Sequence, residues 1–539
     1  MWIYGVICII VLFAGYMIYG KFLEKIFGIN QTEPVPSKSN YDGVDFVPTN
    51  KWVLLGHHFS SIAGAGPIVG PIIAGLAFGW LPAILWILLG AIFIGGVHDF
   101  SSLVISMRNQ GKSLAEIAST SISKRAYYLF LTFIWLSLMY VIAVFAELAA
   151  ESFASEPAVA QISLIYVFVA LAFGVLNSKG KIPLWFLTII SLVVIGLGFP
   201  FSFKHQVLTL SKDQWVYVLI GYAFVASILP VWILLQPRDY LSSFLLFISV
   251  IIGMVGIFLG GFRISYPPVK AFYSPSTGPL VPFLFITIAC GAISGFHSLV
   301  SSGTTSKQLD HPKNSRFVAY GGMLLEAITA AVALSTLMIF ARGYNNVGLS
   351  PSAIYAEGIG RYLGILGLSE GIGKTFGLLI LSAFILTTLD TATRISRYIF
   401  QELLAKTSNK SLMVRGYSTL VSLILPLFLL KTKFKDPTGN VVSAWKIIWP
   451  IFGTTNQLLA ALVFIVVFVW AKRNLSKGSL VFVIPMTFMA FMTITALIWI
   501  LTQNLIRGWF NVITFIALLL LSLALVLSYE AFRVIFRKK

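Results

Sequence analysis

The fold of this chain is decided by residues 56–71, which read GHHFSSIAGAGPIVGP and lie within an apolar run long enough to cross a bilayer. Proline removes a backbone donor and clashes with the preceding turn, so the sequence predicts that a helix breaks near Pro67. Secondary transporters use such breaks to hold anions and cations at the ends of half-helices. A structural helix would use the same glycines for close packing, and the stretch on its own leaves both interpretations open.

The composition indicates a polytopic membrane protein. Of the 539 residues, 58% are hydrophobic and only 11% are charged. The net charge of +19 comes from Lys and Arg in the segments between apolar runs, a distribution typical of cytoplasmic loops. Cys8 and Cys290 both lie in apolar runs, so we expect no disulfide framework. The predicted partners are the lipid bilayer and a small-molecule substrate, with no nucleic acid; the sequence predicts no particular oligomeric state.

We predict an all-α protein with about fifteen transmembrane helices, each an apolar run of about twenty residues. Lys and Arg are concentrated on the side that carries residues 21–51, which predicts an outside N-terminus and a cytoplasmic C-terminus. The predicted spans are 2–20, 52–79, 80–106, 126–152, 158–177, 182–200, 215–236, 241–262, 280–303, 317–341, 375–400, 415–432, 443–470, 479–500 and 510–534.

Four of these spans carry flexible backbone or hydrogen-bonding side chains near their middle. Glycines interrupt 52–79 and 280–303, while 375–400 and 443–470 carry threonine, asparagine and glutamine at the same depth. Hydrogen bonds between helices, each worth about 1 kcal/mol or less, would explain one or two such coincidences, but four favour a substrate site at the midplane. The predicted substrate-binding residues are Ser60, Ser61, Gly64, Gly66, Gly291, Gly295, Thr387, Thr388, Asn456 and Gln457.

Ionisable residues form a second layer inside the spans, mostly in the half nearest residues 21–51. A charge at such depth is costly and is normally paired or functional, and histidine titrates near neutrality. Asp390 and Arg394 are spaced i, i+4, so we expect them to pair on one helix face, either as scaffold or as part of a proton path. The predicted proton-coupling residues are His57, His58, His98, Asp99, His297, Glu326, Asp390 and Arg394.

A metal site is an alternative role for His57, His58, His98 and Asp99, because these residue types bind zinc or iron. Adjacent histidines on a helix point about 100° apart, however. The chain also has neither the His-Glu-x-x-His nor the His-x-x-Glu-His spacing of zinc enzymes. We therefore predict no metal and no cofactor.

Several separated stretches together resemble the carbon starvation protein A family. They occur in the family's order, and the resemblance covers the chain from about residue 2 to about residue 470. The stretches are GHHFSSIAGAGPIVGP at 56–71, GVHDFSS at 96–102, QPRDYL at 236–241, GAISGFHSLVSSGTTSKQ at 291–308, DTATRISRYIFQE at 390–402 and WPIFGTTNQLLA at 449–460.

The resemblance implies an inner-membrane secondary transporter related to the amino acid–polyamine–organocation superfamily, with inverted repeats. In that superfamily the first and sixth core helices are broken, and the matching spans are 52–79 and 280–303. Members of the family are described as peptide transporters induced by starvation, and relatives carry pyruvate with protons. The implied organisation is an N-terminal helix and cytoplasmic linker at 1–51, a first repeat at 52–200, an inserted hairpin at 201–279, a second repeat at 280–470 and C-terminal helices at 471–539.

We therefore expect a proton-coupled importer of a peptide or pyruvate across the bacterial cytoplasmic membrane during carbon starvation, and not an enzyme. Two alternatives stay open at this point. A sodium-coupled symporter would use hydroxyls and freed carbonyls around Ala63 and Thr388. A membrane-embedded metalloenzyme would use the His/Asp cluster.

Overall fold

The computed structural model of the chain describes residues 1–205, 207–340, 350–404, 411–432, 434–435, 441–442, 444–475, 478–506 and 512–536. The described residues are almost entirely helical. The helices are α1 (Trp2–Ala14), α2 (Gly20–Phe27), α3 (Pro36–Ser39), α4 (Lys51–Ile62), α5 (Gly66–Phe78), α6 (Trp80–Gly90), α7 (Gly96–Arg108), α8 (Leu114–Ser121), α9 (Lys124–Ser155), α10 (Pro157–Ser178), α11 (Leu184–Lys204), α12 (Lys212–Ile228), α13 (Leu235–Leu259), α14 (Leu280–Thr287), α15 (Gly295–Gly303), α16 (Gly321–Met338), α17 (Pro351–Gly364), α18 (Glu370–Leu403), α19 (Leu412–Lys431), α20 (Ala444–Asn474), α21 (Val483–Ile506) and α22 (Val512–Phe536).

Short π-helical turns join some of these helices into longer ones. The turn at Gly15–Tyr19 connects α1 to α2, the turn at Ala91–Gly95 connects α6 to α7, and the turn at Arg316–Tyr320 leads into α16. Two small antiparallel hairpins are also present: β1 (Tyr273–Ser274) pairs with β2 (Gly278–Pro279), and β3 (Phe434–Lys435) pairs with β4 (Val441–Val442).

The prediction of an all-α multi-pass membrane protein is confirmed. Within the described residues, eleven helices are long and apolar enough to cross a membrane, and the bent pair α4–α5 raises the number to twelve. The other three predicted spans coincide with α12, with the interrupted pair α14–α15 and with α22. The total of about fifteen spans and the inverted repeat stay predictions.

The break predicted near Pro67 is confirmed. Helix α4 ends at Ile62, α5 begins at Gly66, and the two are bent by 42°. Pro67 lies in the first turn of α5, where the missing N–H has no helical partner to lose. Pro71 lies inside α5, which continues past it. The chain is therefore interrupted at the Ala63–Ala65 segment.

The predicted span 280–303 is interrupted as well, because α14 ends at Thr287 and α15 begins only at Gly295. The two interruptions touch each other. A Cβ atom on Gly66 would overlap the side chain of Cys290, and a Cβ atom on Gly70 would lie 2.5 Å from the carbonyl oxygen of Thr287. Glycine is required at Gly70 because the two backbones approach too closely for any side chain, and at Gly66 because the side chain of Cys290 fills the space.

Residues 28–50 cover one side of the protein, which we call the linker side. The backbone N–H of Thr49 donates to the carbonyl of Gln308 over 3.0 Å, and Arg108 pairs with Glu33 over 2.8 Å. Helix α7 therefore ends, and α4 begins, on this side. The polar linker is held against the helix ends by these bonds.

One helix boundary differs from the sequence prediction in a way that matters for the site. The span predicted at 215–236 ends at Ile228, and α13 begins at Leu235 instead of near residue 241. The QPRDYL stretch therefore forms the first turns of a buried helix and not a connection between spans. Arg238 and Asp239 are both buried as a result.

The contact between the two interruptions leads to a first prediction. We expect Gly70→Ala to lower the free energy of unfolding by about 1–3 kcal/mol, because the new methyl group would press on the backbone carbonyl of Thr287. Thermal unfolding of the purified protein in detergent measures the effect. Gly221→Ala is the matched control, since Gly221 lies in α12 with nothing within 4 Å of a new Cβ. Equal unfolding temperatures for the two variants would contradict the close packing.

Candidate substrate and coupling site

The second interruption is held by two neighbouring side chains of α20. Asn456 Oδ1 accepts from the N–H of Phe296 over 2.9 Å, and Asn456 Nδ2 donates to the hydroxyl of Ser294 over 2.9 Å. Gln457 Nε2 donates to the carbonyls of Phe285, over 3.0 Å, and Ile293, over 3.2 Å. These bonds satisfy backbone groups that the break leaves free inside the membrane.

Several of the predicted substrate-binding residues therefore come together. A Cβ atom on Gly291 would lie 3.6 Å from the Cα of Pro67, and one on Gly295 would collide with the backbone of α20. A small cavity beside Asn456 is lined by Tyr140, Phe296 and Thr455, among others. The two breaks and α20 thus meet in one place, as their common depth predicted.

The two threonines predicted on α18 differ in what they face. The hydroxyl of Thr387 donates to the carbonyl of Ala383 in its own helix over 3.0 Å. The hydroxyl of Thr388 is buried without a hydrogen-bond partner. A Cβ atom on Gly64 would lie 2.7 Å from that hydroxyl oxygen, so Thr388 faces the first break.

Asp239, which the sequence analysis did not single out, organises the end of α4. His57 Nδ1 lies 2.7 Å from Asp239 Oδ2, and the hydroxyl of Ser61 donates to the same oxygen over 3.3 Å. The hydroxyl of Ser60 donates to the backbone carbonyl of Asp239 over 3.0 Å. The two serines predicted to bind substrate are therefore engaged with α13.

A chain of titratable groups links three helices near the second break. Asp99 of α7 lies between two histidines, with Oδ1 3.2 Å from His98 Nδ1 and Oδ2 3.0 Å from His297 Nδ1. On the other side of its ring, His297 Nε2 lies 3.2 Å from Glu326 Oε2 of α16. All four side chains are fully buried. His58 is not part of this chain, since its Nδ1 lies 2.9 Å from the hydroxyl of Thr305.

The expected pairing of Asp390 with Arg394 is wrong. Asp390 forms an ion pair with Arg238 and accepts a hydrogen bond of 2.6 Å from the hydroxyl of Tyr222. Arg394 instead lies 3.4 Å from Asp45 of the linker. Helical spacing makes an i, i+4 pair possible, but acids and bases on neighbouring segments lie closer to each side chain here.

Arg238, Asp239 and Asp45 are among the buried charged residues that the sequence did not single out. The signal for the first two was available, because QPRDYL puts two charges between long apolar runs. The predicted spans 215–236 and 241–262 instead leave these two residues in a connection. Asp45 lies in a polar segment that gives no local sign of burial, yet it is 1% exposed.

The alternative of a metal site has no support from side-chain positions in the part of the chain that the structure describes. No three His, Cys, Asp or Glu side chains there converge closely enough to hold an ion.

Comparison with known proteins identifies the family. The sequence matches the family model described as Carbon starvation protein CstA over residues 1–356 and 346–496. The chain belongs to this family. A peptide transporter CstA from Campylobacter jejuni is 32% identical, with 89% of this chain and 77% of the relative covered.

Two further relatives broaden the comparison. A pyruvate/proton symporter BtsT from Escherichia coli is 33% identical, covering 86% of this chain and 76% of the relative. A peptide transporter CstA from Bacillus subtilis is 34% identical, covering 84% and 82%. The chain is therefore a secondary transporter and not an enzyme.

A solved structure shares the fold. A manganese transporter from Eremococcus coleocola, bound to an aromatic bis-isothiourea compound, superposes with a TM-score of 0.56 over 92% of this chain and 99% of that chain. The two sequences are 13% identical, so the likeness concerns the helical transporter fold alone.

The role of α20 leads to a second prediction. Asn456→Ala should lower the free energy of unfolding by about 1–3 kcal/mol, because the N–H of Phe296 loses its acceptor inside the protein. Thermal unfolding in detergent measures this loss. Asn474→Ala is the control, since exposed Asn474 donates to a carbonyl of its own helix. The capping role is contradicted if the two alanine variants unfold at the same temperature.

Proposed function

We propose that this chain imports a small carboxylate-bearing nutrient, a peptide or pyruvate, together with protons across the bacterial cytoplasmic membrane. The observation that carries the proposal is the buried chain of His98, Asp99, His297 and Glu326, which ends beside the second break. Ionisable groups inside a membrane are costly, and in transporters they mark proton relays.

The geometry supports a link between protonation and movement. His297 lies on the half-helix α15, between Asp99 of α7 and Glu326 of α16. A protonated His297 is attracted to both carboxylates, and a proton that moves to either carboxylate weakens that contact. The position of α15 between its two neighbours would therefore change with the position of the proton.

The substrate part of the proposal rests on the two half-helices. Helices α5 and α15 begin at Gly66 and Gly295, and the first N–H groups and positive end of a half-helix attract a carboxylate. The relative from C. jejuni is named for peptides and that from E. coli for pyruvate and protons, and both substrates carry a carboxylate. We propose that Gly64, Gly66, Gly291, Gly295, Thr388 and Asn456 line the substrate site, with Gln457 holding the break from behind.

Sodium coupling is the second candidate, because one observation favours it. Thr388 has a buried hydroxyl without a partner, and it faces Gly64 at the interrupted end of α4. A hydroxyl and freed backbone carbonyls are oxygen ligands of the kind that transporters use for sodium.

The same proposal includes topology. The basic residues of the 21–51 segment favour a cytoplasmic linker side, an outside N-terminus and a cytoplasmic C-terminus. Residues 52–200 and 280–470 would form inverted repeats, each beginning with one of the interrupted spans, and would rock against each other during transport.

Uptake into proteoliposomes tests the function. We expect labelled pyruvate or a labelled dipeptide to accumulate above its outside concentration when an inward proton gradient is imposed, and not without one. Accumulation that follows a sodium gradient instead would favour the second candidate. Uptake that never exceeds the outside concentration would indicate a passive channel and would overturn the proposal.

The coupling role of Asp99 gives a further prediction. Asp99→Asn keeps the shape of the side chain but cannot carry the charge that faces His297. We expect uptake to lose its dependence on the imposed proton gradient, measured as the ratio of initial rates with and without the gradient. Asp213→Asn, at an exposed aspartate of α12, is the control and should keep the wild-type ratio. An unchanged ratio in Asp99→Asn would make Asp99 a structural partner of His297.

A further inference from the structure

A group of cations is buried around one carboxylate on the linker side. Arg394 Nη1 lies 3.4 Å from Asp45 Oδ1, and Arg397 Nη2 lies 3.4 Å from both oxygens of Asp45. The hydroxyl of Tyr398 donates to Asp45 Oδ1 over 2.6 Å. The ammonium group of Lys307 lies 4.1 Å from the centre of the Tyr398 ring. We call Lys307, Arg394 and Arg397 the cation cluster.

The cation cluster is short of negative charge. Within the described part of the chain, Asp45 is the one carboxylate within 4 Å of its guanidinium groups, and Lys307 has no carboxylate at that distance. Asp42 and Glu402 act on Lys307 from farther away. Burying charge without close compensation is energetically costly, so a second anion would be stabilised here.

Arg397 has unused donors. Its Nε and Nη1 atoms are buried without hydrogen-bond partners. The side chain itself is fully buried and its guanidinium lies 4.6 Å from the centre of the Tyr398 ring. Arg394 is different, because its Nη2 donates to the carbonyls of Ala226, over 2.6 Å, and Leu229, over 2.7 Å, at the end of α12. Arg397 is therefore the member that is free to bind a ligand, while Arg394 is anchored.

The pKa shifts of Asp45 and Lys307, which both lie outside the spans, reflect the cations around Asp45 and the burial of Lys307. Burial raises the pKa of Asp45, but the charges of Arg397, Arg394 and Lys307 outweigh burial and hold that pKa below its ordinary value. Burial lowers the pKa of Lys307, and the attraction of Asp45 does not offset it.

Asp45 enters this cluster from a preformed turn of the linker. Asp42 Oδ1 accepts from the backbone N–H groups of Val44, Asp45 and Phe46 over 2.8–2.9 Å. The turn is attached to the segment after α12 by the bond from the N–H of Val231 to the carbonyl of Val44, over 3.1 Å. A second bond, from Trp232 Nε1 to the carbonyl of Gly43 over 3.1 Å, also holds the turn, so Asp45 is presented on a small preformed unit that must give up these bonds to move away.

Its contacts with the arginines are also weak for an ion pair. Charge-assisted hydrogen bonds between guanidinium and carboxylate groups normally measure about 2.7–2.9 Å, against the 3.4 Å seen here. A carboxylate free to choose its own position could approach Arg397 more closely than Asp45 does.

From these observations we infer that Arg397 and Lys307 form a carboxylate-binding site on the linker side, which Asp45 occupies as an internal anion until the carboxylate of the transported solute replaces it. The inference rests on the proposed import of a carboxylate-bearing nutrient, whose last contact before the cytoplasm this site would be. The cluster holds one carboxylate whether Asp45 or the solute occupies it, so its net charge is the same in both states. The solute and Asp45 would therefore compete directly for the site.

Chemical rescue tests the site without relying on transport. Purified Asp45→Ala protein is heated in detergent with increasing sodium acetate, at constant ionic strength set with sodium chloride. We expect acetate to raise the unfolding temperature with saturation, and with an apparent affinity about tenfold tighter than in wild type, which corresponds to about 1.4 kcal/mol. Acetamide, which has the same shape without the charge, should not protect.

Further variants make the outcome decisive. Asp45→Ala/Arg397→Gln should lose the rescue, whereas Asp213→Ala should respond to acetate as wild type does. Asp45→Asn serves in place of Asp45→Ala if the alanine variant does not fold, because it keeps the size of the side chain and still removes the charge. Equal protection by chloride or phosphate, or rescue that persists without Arg397, would overturn the inference.

Transport measurements distinguish a failure of this inference from a failure of the proposed function. In proteoliposomes, Arg397→Gln should slow uptake of whichever of pyruvate or dipeptide the wild type accumulates. If the wild type accumulates neither, the proposed function fails and the acetate experiment still decides the carboxylate site. If the wild type accumulates one of them but Asp45→Ala shows no rescue, the site is wrong and the proposed function stands.

Discussion

A backbone that stops being helical inside a bilayer must find partners for its N–H and C=O groups, because no water is present to supply them. This requirement explains much of the molecule. The second interruption is bridged by Asn456 and Gln457 of α20. The first lies against it with glycines at the points of contact, and it places Gly64 beside Thr388 of α18. Helices that are distant in sequence are thereby drawn to one point in the membrane.

Several buried charges in the described part of the chain follow a second rule, since they lie near a partner on another segment. Asp239 meets His57, Asp390 meets Arg238, and Asp99 meets His297. Replacing such pairs by apolar residues can be neutral for stability, so their presence in a membrane protein favours a role in moving ions or solutes. The pairs join α4 to α13, α13 to α18 and α7 to α15, and relative motion of these helices must break or exchange them.

Local chemistry explains which features could be predicted. Apolar runs, Pro67 and the paired glycines act through the backbone within a few residues, so the helical membrane architecture and both interruptions were predicted correctly, whereas the end of the span at 215–236 was not. Partner choice among side chains depends on which helices are neighbours, and spacing along one helix does not contain that information. Asp390 and Arg394 therefore have the geometry of a pair but bind Arg238 and Asp45. Asp45 was missed for the same reason, since a polar linker does not reveal that one of its residues is turned inward.

The contact between Gly70 and the carbonyl of Thr287 has a mechanical consequence. No side chain lies between the two backbones at this point to absorb a displacement, so a tilt of α5 is transmitted to the segment that precedes α15. The half-helices α5 and α15 would therefore move together. Uncoupled transport, in which one transported species crosses without the other, would first require this contact to open. How tightly the two transported species are coupled would then depend on glycines such as Gly70 and not only on the charged residues.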